Sequence, residues 1–293
     1  MDLKAYLNAK RTLVDSFLRS YFRRRFSPPL LREAMLYSLM AGGKRLRPIL
    51  CLASYEACGK DSKDIIKYAS ALELIHTYSL IHDDLPSMDN DDLRRGKPTS
   101  HKVYGEAIAI LAGDGLLTEA FRLLSEESPK IKTQALLKGI NEVASGAGIK
   151  GMVAGQAQDI ISEDATPDGK TLSFIHRHKT GALITSSVRL GAILAAASKS
   201  RLDALTHYAK NLGLAFQIVD DILDIKGSTE DLGKPAGSDL RKKKMTYPAL
   251  YGIEESRKKA ERLIEGALGS LRGFPKSADP LREIARYVLI RNN

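Results

Sequence analysis

The run Leu80-Ile81-His82-Asp83-Asp84-Leu85-Pro86-Ser87-Met88-Asp89 places a cluster of carboxylates at the end of an apolar, helix-like segment. A second cluster, Asp220-Asp221-Ile222-Leu223-Asp224, lies in another such segment. Carboxylates at this density repel one another and resist burial, so they persist only with compensating positive charge. Oxygen-rich clusters suit hard cations, and Mg²⁺ is the usual ion where a substrate carries phosphates. Because the rest of the chain is basic, the clusters predict a site where metal and Lys/Arg side chains hold a polyanion together.

The pattern of apolar residues is helical over most of the chain. Apolar positions recur at intervals of three and four, whereas alternating β-branched runs bounded by hairpin turns are nearly absent. Helical segments are predicted at residues 30–58, 63–83, 104–126, 131–150, 171–198, 201–225 and 246–271. No Ser/Gly-rich linker divides the 293 residues. We therefore expect residues 1–293 to form a single all-α domain.

Composition narrows the possible partners and compartment. A formal net charge of +10 admits nucleic acid, a membrane surface or an anionic metabolite. No basic stripe with interleaved aromatic residues occurs, so nucleic acid is the least favoured of the three. The longest apolar stretch, around Leu190 to Ala197, is too short to span a bilayer. Cys51 and Cys58 would lie about 10 Å apart along a helix, too far for a disulfide. With no apolar secretory core in residues 1–10, these features indicate a cytoplasmic protein.

The second acidic cluster has helical spacing. Gln217, Asp220 and Asp224 occupy positions i, i+3 and i+7 and so share one helical stripe, with Asp221 beside it. Core-type residues rather than lysines flank these acids. A merely solvated acidic face fits that setting poorly, which favours a functional role.

The first cluster combines a helix face with a turn. His76, Ser79 and Asp83 share a face at i, i+3 and i+7. Pro86 ends or bends the helix, and Asp89 is expected to reach back from the turn that follows. These positions predict that the carboxylates of Asp83 and Asp89 act together.

Two groups of cations complement the acids. Lys44, Arg45 and Arg47 follow a glycine pair, Gly42-Gly43, which lets the backbone approach an anion closely. Arg94 and Arg95 follow the first acidic cluster directly. Arg clamps phosphate with two parallel hydrogen bonds, and Lys adds a point charge. Each group alone could be an ordinary basic loop, but together with the acids they predict a site for a polyanion that carries phosphate.

Other chemistries lack their signatures. The chain has no serine nucleophile elbow, Walker loop or dinucleotide fingerprint, and no cysteine–histidine zinc spacing. Asp91 and Asp92 are expected to be loop charges rather than ligands. A lone histidine such as His82 is more often a hydrogen-bonded neighbour than a metal ligand.

These motifs together resemble the trans-isoprenyl diphosphate synthases (polyprenyl synthetases), most of all the bacterial farnesyl-forming members. The resemblance covers nearly the whole chain. It is carried by the sequences at 43–48, 76–98, 113–114, 155–159, 179–180, 217–224, 232–235, 244–248 and 287–292. Two aspartate-rich motifs in this order, with the cation motifs interleaved, are highly specific.

The resemblance implies an isoprenoid synthase fold, with about ten helices around a deep central cavity, working as a homodimer. It implies condensation of isopentenyl diphosphate with dimethylallyl diphosphate and then geranyl diphosphate, giving farnesyl diphosphate. It also implies three Mg²⁺ ions, which Mn²⁺ could replace. No nucleic acid and no membrane span are expected.

The same resemblance assigns roles to individual residues. It implies that Asp83, Asp89 and Asp220 hold Mg²⁺, with Asp84, Asp221 and Asp224 in support. The allylic diphosphate would be bound by Arg94, Lys179, Lys234 and Lys244, and isopentenyl diphosphate by Lys44, Arg47, His76 and Arg95. Thr180 and Gln217 would face the developing carbocation, and Gln156 and Asp159 would lie near the metal–diphosphate cluster. Residues 227–244 combine glycine, proline and charge, so we expect this segment to be mobile and to close over the site.

Product length is predicted from two residues. Tyr78 lies five residues before Asp83, about 7.5 Å up a helix, and the small Ser79 follows it. In the family, an aromatic residue there, together with four residues between Asp84 and Asp89, goes with a fifteen-carbon product. If Tyr78 is ordinary core packing instead, the product could have twenty carbons or more.

Three rival functions remain at this point. A class I terpene cyclase shares the fold and the first motif but normally carries a different second metal motif. An inactive regulatory synthase subunit has usually lost aspartates, and none is missing here. A nucleic-acid binder is supported only by the net charge.

Overall fold

The protein is almost entirely helical, which confirms the predicted all-α isoprenoid synthase fold. The structure, a computed structural model, describes residues 1–23, 28–163, 168–226 and 245–291. Its helices are α1 (Leu3–Tyr21), α2 (Pro29–Leu39), α3 (Leu46–Ala57), α4 (Ile66–Asp83), α5 (Ser100–Tyr104), α6 (Glu106–Ser125), α7 (Thr133–Ala147), α8 (Met152–Ile161), α9 (Gly169–Ile175), α10 (Gly181–Leu194), α11 (Lys199–Lys226), α12 (Tyr247–Tyr251), α13 (Ile253–Ser270) and α14 (Asp279–Ile290). A π-helical turn, His176–Thr180, joins α9 to α10 and is called the π segment below.

Two helices form the centre of the bundle. Helix α4 is buried on nearly all sides and packs on α6, α3 and α1. Helix α10 is equally apolar and lies against α3, α11 and α7. A helix that is hydrophobic all round must be surrounded by other helices. Helix α4 therefore lies inside the bundle, and the first aspartate cluster begins at its C-terminal end.

Helices α3 and α10 separate two apolar clusters. Cys51 and Leu52 of α3 belong to a cluster with α1, α4 and α6. Ile49 and Ala53, on the opposite face of α3, belong to a second cluster with α11, α13 and α14. Both cysteines are free thiols. The shared helices tie the two clusters together.

The contact between α3 and α10 is unusually close at Gly191. A Cβ atom there would collide with the carbonyl oxygen of Cys51 and would lie 3.0 Å from the backbone nitrogen of Tyr55. The Ser54 hydroxyl donates a 2.7 Å hydrogen bond to the carbonyl oxygen of Val188. The two backbones therefore touch, and the pairing depends on glycine.

Several predicted helix boundaries were wrong. The segment predicted at 30–58 is two helices, α2 and α3, separated where Gly42 and Gly43 adopt φ of 102° and 121°. Helices α1, α8 and α14 were not predicted. A short antiparallel hairpin, Leu93–Arg94 with Lys97–Pro98, turns the chain after the first acidic cluster. In the described part of the chain, no helix is long and apolar enough to cross a membrane.

The contact at Gly191 gives a stability prediction. Gly191→Ala should lower the free energy of unfolding by about 1–3 kcal/mol, because overpacking against a backbone carbonyl forces the helices apart. Gly269→Ala is the matched control, since nothing lies within 4 Å of the added Cβ and this residue is inside α13. It should be neutral or stabilising by up to about 1 kcal/mol. Urea unfolding measures both, and equal midpoints would contradict the packing described.

Candidate active site

A cavity of about 580 Å³ opens between α4, α8, the π segment and α11. Asp83 and Asp89 lie on one wall, and Asp220 and Asp221 on another. Its remaining polar lining comprises Arg47, His76, Ser79, His82, Asp91, Arg94, Gln156, Asp159, His176, Lys179, Thr180, Gln217 and Thr246. Apolar residues such as Met152, Val153 and Ile160 line part of the same space. The cavity thus joins a charged region to an apolar one.

The first cluster is arranged by the turn that ends α4. The backbone nitrogen of Asp89 donates a 2.8 Å hydrogen bond to the carbonyl oxygen of Asp83, so Asp89 does reach back as predicted. Burial raises the pKa of Asp83 to about 6, and the charge of Asp89 adds to this while Lys179 opposes it. A bound divalent cation would favour the charged form of Asp83 and so oppose the effect of burial.

Asp84 does not line the cavity and forms an ion pair with Arg94. Its Oδ1 accepts a 3.0 Å hydrogen bond from Nε of Arg94, whose terminal nitrogen also contacts Asp84 and lies 3.3 Å from Asp91. Burial raises the pKa of Asp84, and the pairing with Arg94 opposes that shift. Asp84 therefore aligns Arg94 on the hairpin, and Arg94 itself lines the cavity.

Asp220 contacts a residue that the sequence reasoning missed. A terminal nitrogen of Arg291 donates hydrogen bonds to Asp220 Oδ1 at 2.7 Å and to the carbonyl oxygen of Phe216 at 2.8 Å. Its guanidinium stands 3.7 Å from the centroid of the Phe216 ring. Arg291 is 71 residues away along the chain, so no local pattern predicts the pair. The only signal was the resemblance of residues 287–292 to the family.

Helix α11 presents two of the three residues of its predicted stripe, Gln217 and Asp220, to the cavity. Asp221 lines the cavity, whereas the buried Asp224 does not. Oδ1 of Asp221 accepts a 3.1 Å hydrogen bond from Gln217, and Oδ2 accepts one of 2.9 Å from the backbone nitrogen of Tyr247. His176 lies 3.4 Å from Oδ2. Because burial lowers the pKa of His176 to about 3, this contact is with a neutral ring.

The π segment brings a cation and a hydroxyl to the cavity. Lys179 donates a 2.7 Å hydrogen bond to Asp159 of α8. Thr180 donates one of 2.8 Å to the side-chain oxygen of Gln217. A Cβ on Gly155 would collide with the backbone of Lys179, so Gly155 lets α8 approach the π segment. The π segment is thus a wide helical turn that presents both side chains.

The residues predicted to bind isopentenyl diphosphate differ in their position relative to the cavity. Arg47 and His76 line the cavity, whereas Lys44 is exposed and Arg95 lies behind the glycine pair. Burial lowers the pKa of Arg47 to about 10, so Arg47 stays positive at neutral pH. Burial and the neighbouring arginines hold the pKa of His76 well below its usual value, and this ring is neutral. Arg95 donates to the carbonyl oxygen of Gly42.

Arg45 has a different environment from its neighbours. It is only 3% exposed and contacts Glu73 at 2.7 Å, Asp15 at 2.8 Å and the carbonyl oxygen of Leu39 at 2.6 Å. All of its nitrogens are therefore committed to the protein. Of the three cations after the glycine pair, Arg45 anchors the loop and does not face the cavity.

Tyr78 and His82 form the part of the cavity wall further up α4. Their rings meet edge to face, with centroids 5.6 Å apart. Nε2 of His82 lies 3.0 Å from the carbonyl oxygen of Ile110, and any Cβ on Gly113 would collide with the imidazole. His82 is thus the hydrogen-bonded neighbour that was predicted. Ser79, beside Tyr78, donates a 2.9 Å hydrogen bond to the carbonyl oxygen of His76.

The carboxylates suit Mg²⁺ by their chemistry but are not preassembled around one point. Within the described ranges, no three His, Cys, Asp or Glu side chains are close enough to hold a metal ion. The acids on the two walls instead contact cations and N–H groups. Asp83, Asp89 and Asp220 are oxygen donors of the kind that Mg²⁺ prefers, and they would hold it together with oxygens of the substrate. Two predicted diphosphate ligands, Lys234 and Lys244, and the predicted closing segment 227–244 lie outside the described residues.

Comparison with known proteins decides the family. The polyprenyl synthetase family model matches residues 28–284. The chain belongs to the polyprenyl synthetase family. As a member, it is a prenyltransferase whose reaction is prenyl chain elongation, and the family uses the divalent metal Mg²⁺. The resemblance inferred from the motifs is therefore confirmed.

Individual relatives are named for different products. A polyprenyl synthetase of Geobacillus stearothermophilus, named farnesyl diphosphate synthase, is 48% identical over 294 residues, covering 100% of this chain and 99% of the relative. A protein of Cyanophora paradoxa, named geranylgeranyl diphosphate synthase, is 46% identical over 293 residues, covering 100% and 97%. The crystal structure of an FPP/GFPP synthase from Zymomonas mobilis superposes with a TM-score of 0.88 at 40% identity, covering 98% and 99%. Similarity alone therefore leaves the product length open.

The environment of Arg45 gives a second stability prediction. Glu73→Ala should cost about 2–4 kcal/mol of unfolding free energy, because it leaves a buried guanidinium short of its buried partner. Asp15→Ala should cost less than about 1 kcal/mol, since Asp15 is partly exposed and water can replace it. Denaturant unfolding of both variants tests the difference. A larger loss for Asp15→Ala would show that Arg45 is anchored from the surface instead.

Proposed function

We propose that this polyprenyl synthetase condenses isopentenyl diphosphate with dimethylallyl and then geranyl diphosphate and releases farnesyl diphosphate. The observation that carries the proposal is one cavity that combines acids on two walls, cations from three elements, two neutral oxygens and a buried tyrosine. The acids and cations suit two diphosphates, and the apolar lining suits a prenyl tail. The oxygens of Thr180 and Gln217 suit a carbocation.

The metal would be held from both walls. Asp83 and Asp89 would bind Mg²⁺ on the α4 side and Asp220 on the α11 side, with three ions in all and Mn²⁺ as a substitute. Bound there, Mg²⁺ would neutralise the allylic diphosphate and make it a better leaving group. Arg94 and Lys179 add positive charge to the same diphosphate. We propose that Lys234 and Lys244 do so as well.

The reaction would begin when the bond between the allylic carbon and the diphosphate oxygen breaks. Its electron pair leaves with the diphosphate, and the cation that remains lies by the π segment. Thr180 and Gln217 stabilise it with neutral oxygens, which cannot trap it as a stable adduct. The hydrogen bond from Gln217 to Asp221 fixes the amide with its oxygen towards Thr180. Such preorganised dipoles are effective because they need no reorientation during the reaction.

Isopentenyl diphosphate would be held by Arg47, Arg95, His76 and Lys44. Its double bond attacks the allylic cation, which forms the new carbon–carbon bond, and the departing diphosphate takes the proton that is then lost. No histidine base is required. The neutral His76 would donate a hydrogen bond, because the surrounding arginines disfavour its protonation.

Three further features belong to the proposal. We propose that the chain works as a single domain, because residues from 47 to 246 line one cavity. We propose a homodimer, supported by the exposed side chains of Ile110, Leu111 and Leu137 on the neighbouring helices α6 and α7. A cytoplasmic location is supported by the free thiols of Cys51 and Cys58.

The metal assignment is tested by removing single carboxylates. Asp83→Ala and Asp220→Ala should each lower kcat by orders of magnitude, because each wall loses a ligand, and EDTA should abolish wild-type activity. Asp92→Ala is the matched control, since Asp92 is exposed and pairs with Lys102 at 2.8 Å. Steady-state assays with Mg²⁺ and circular dichroism give the answer. A folded Asp83→Ala or Asp220→Ala enzyme with full activity would remove the assignment.

The division into two diphosphate sites is tested through Arg95. A Cβ on Gly43 would lie 2.7 Å from the Arg95 guanidinium carbon, so Gly43→Ala should displace that side chain. We expect the KM for isopentenyl diphosphate to rise about tenfold or more, as for a lost hydrogen bond to a charged group. Lys179→Ala should instead raise the KM for the allylic substrate.

Gly42→Ala is the control for Gly43→Ala. Both glycines have positive φ, so both variants carry backbone strain, but nothing lies within 4 Å of a Cβ at Gly42. Gly42→Ala should therefore lose stability without a selective change in KM. If Gly43→Ala changed both substrates equally, the two sites would be wrongly divided.

Product length is tested at Tyr78. Tyr78→Ala should shift the main product from fifteen carbons to twenty or more, because the longer tail fills the void and each buried CH₂ contributes about 0.8 kcal/mol. Tyr78→Phe keeps the ring and should still stop at fifteen, whereas Ser79→Phe should shorten the product towards ten. Chromatography of the dephosphorylated products measures all three. An active Tyr78→Ala enzyme that still stops at fifteen carbons would show that another residue limits the length of the product.

A further inference from the structure

A second cavity lies on the other side of the π segment. It has a volume of about 530 Å³ and is bounded by α7, the π segment, α10, α11 and α13. The π segment is a wall of both cavities. His176, Lys179 and Thr180 line the catalytic cavity, whereas Arg177 and His178 line the second one.

The second cavity has an excess of positive charge. Lys150, Arg177 and Lys210 reach it from three different elements, together with two imidazoles, His178 and His207. None of these three cations forms an ion pair with another described residue. The acid in the lining, Glu142, is already paired with Arg189 at 2.9 Å. Cations gathered in a concave site without acidic partners favour an anion.

The walls of this cavity are closely packed. A Cβ on Gly146 of α7 would collide with the Ser186 hydroxyl of α10. A Cβ on Gly213 of α11 would lie 3.0 Å from the Cα of Gly181. Leu214, only 5% exposed, contributes an apolar surface. The shape is therefore set by helices in direct contact.

We propose that this second cavity binds a diphosphate group. A diphosphate carries enough negative charge for three cations, and a single carboxylate does not. The cavity has room for inorganic pyrophosphate and for the head and first carbons of a prenyl diphosphate. The bound anion would draw in Arg177 and so restrain the π segment, which also carries Lys179 and Thr180. The inference concerns binding and does not depend on the proposed reaction.

Calorimetric titration with inorganic pyrophosphate in the presence of EDTA tests the site. EDTA removes the metal through which the acids of the catalytic cavity would hold an anion, and Arg47→Ala reports any binding to the cations of that cavity. Lys150→Ala/Lys210→Ala should weaken binding by about tenfold or more, because two charged contacts are lost. Lys138→Ala/Lys199→Ala removes the same charge from α7 and α11, outside the cavity, and should bind like wild type. Lys179→Ala, in the catalytic cavity, should also bind like wild type.

Hydrogen exchange gives an independent readout. Pyrophosphate in EDTA should slow exchange at residues 176–181 of wild type and of Lys138→Ala/Lys199→Ala, but not of Lys150→Ala/Lys210→Ala. Repeating the titration with farnesyl diphosphate separates the two sources. Tighter binding that is still lost in Lys150→Ala/Lys210→Ala would indicate a prenyl diphosphate, and equal or weaker binding would indicate pyrophosphate.

Three results would overturn the proposal. These are no binding to wild type at millimolar pyrophosphate, binding that is lost in Lys179→Ala or Arg47→Ala but kept in Lys150→Ala/Lys210→Ala, and equal weakening in the two double variants. The second result would assign the anion to the catalytic cavity, and the third would show a response to net charge alone. Condensation activity is measured separately, so an inactive enzyme that still binds pyrophosphate here would leave the inference intact.

Discussion

Mutual neutralisation of charge is the constraint on which this structure depends. Carboxylates that line one cavity are costly unless each is balanced, because their repulsion grows as water is excluded. Here Arg94 balances Asp84, Arg291 balances Asp220, and Lys179 balances Asp159. Each of these cations therefore already has an acid as its partner before any ligand arrives. A diphosphate with its metal ions brings both signs of charge, so acids and cations can exchange partners without leaving any group unpaired.

The fold supplies the geometry for that exchange. Asp83 at the end of α4 and Asp220 and Asp221 in the last two turns of α11 line the same cavity. The π segment widens one turn where Lys179 and Thr180 must both reach the cavity. Hydrogen bonds run from Thr180 through Gln217 to Asp221 and link a neutral oxygen to the acidic wall. The positions of Lys179 and Thr180 in the cavity therefore depend on the backbone of the π segment as well as on the identity of the two side chains.

Local sequence patterns predicted the helices and the positions of the acids better than the contacts that these acids make. Apolar spacing indicated α4 and α11, and Pro86 correctly indicated the turn that returns Asp89 to Asp83. The contacts of Asp221 were not predicted, because Tyr247 and His176 hold it and neither is near it in sequence. Arg291 and the commitment of Arg45 to Glu73 were missed for the same reason. Tertiary contacts between distant segments leave no trace in local periodicity.

The exchange of partners can be observed directly in a crystal structure with Mg²⁺ and a non-ionising allylic diphosphate analogue. Lys179 Nζ, now 2.7 Å from Asp159 Oδ2, should move to the diphosphate. Arg291 should likewise leave Asp220, which would then coordinate metal together with Asp83 and Asp89. A complex in which the analogue is bound while the Lys179–Asp159 and Arg291–Asp220 pairs remain intact would contradict this account of the site.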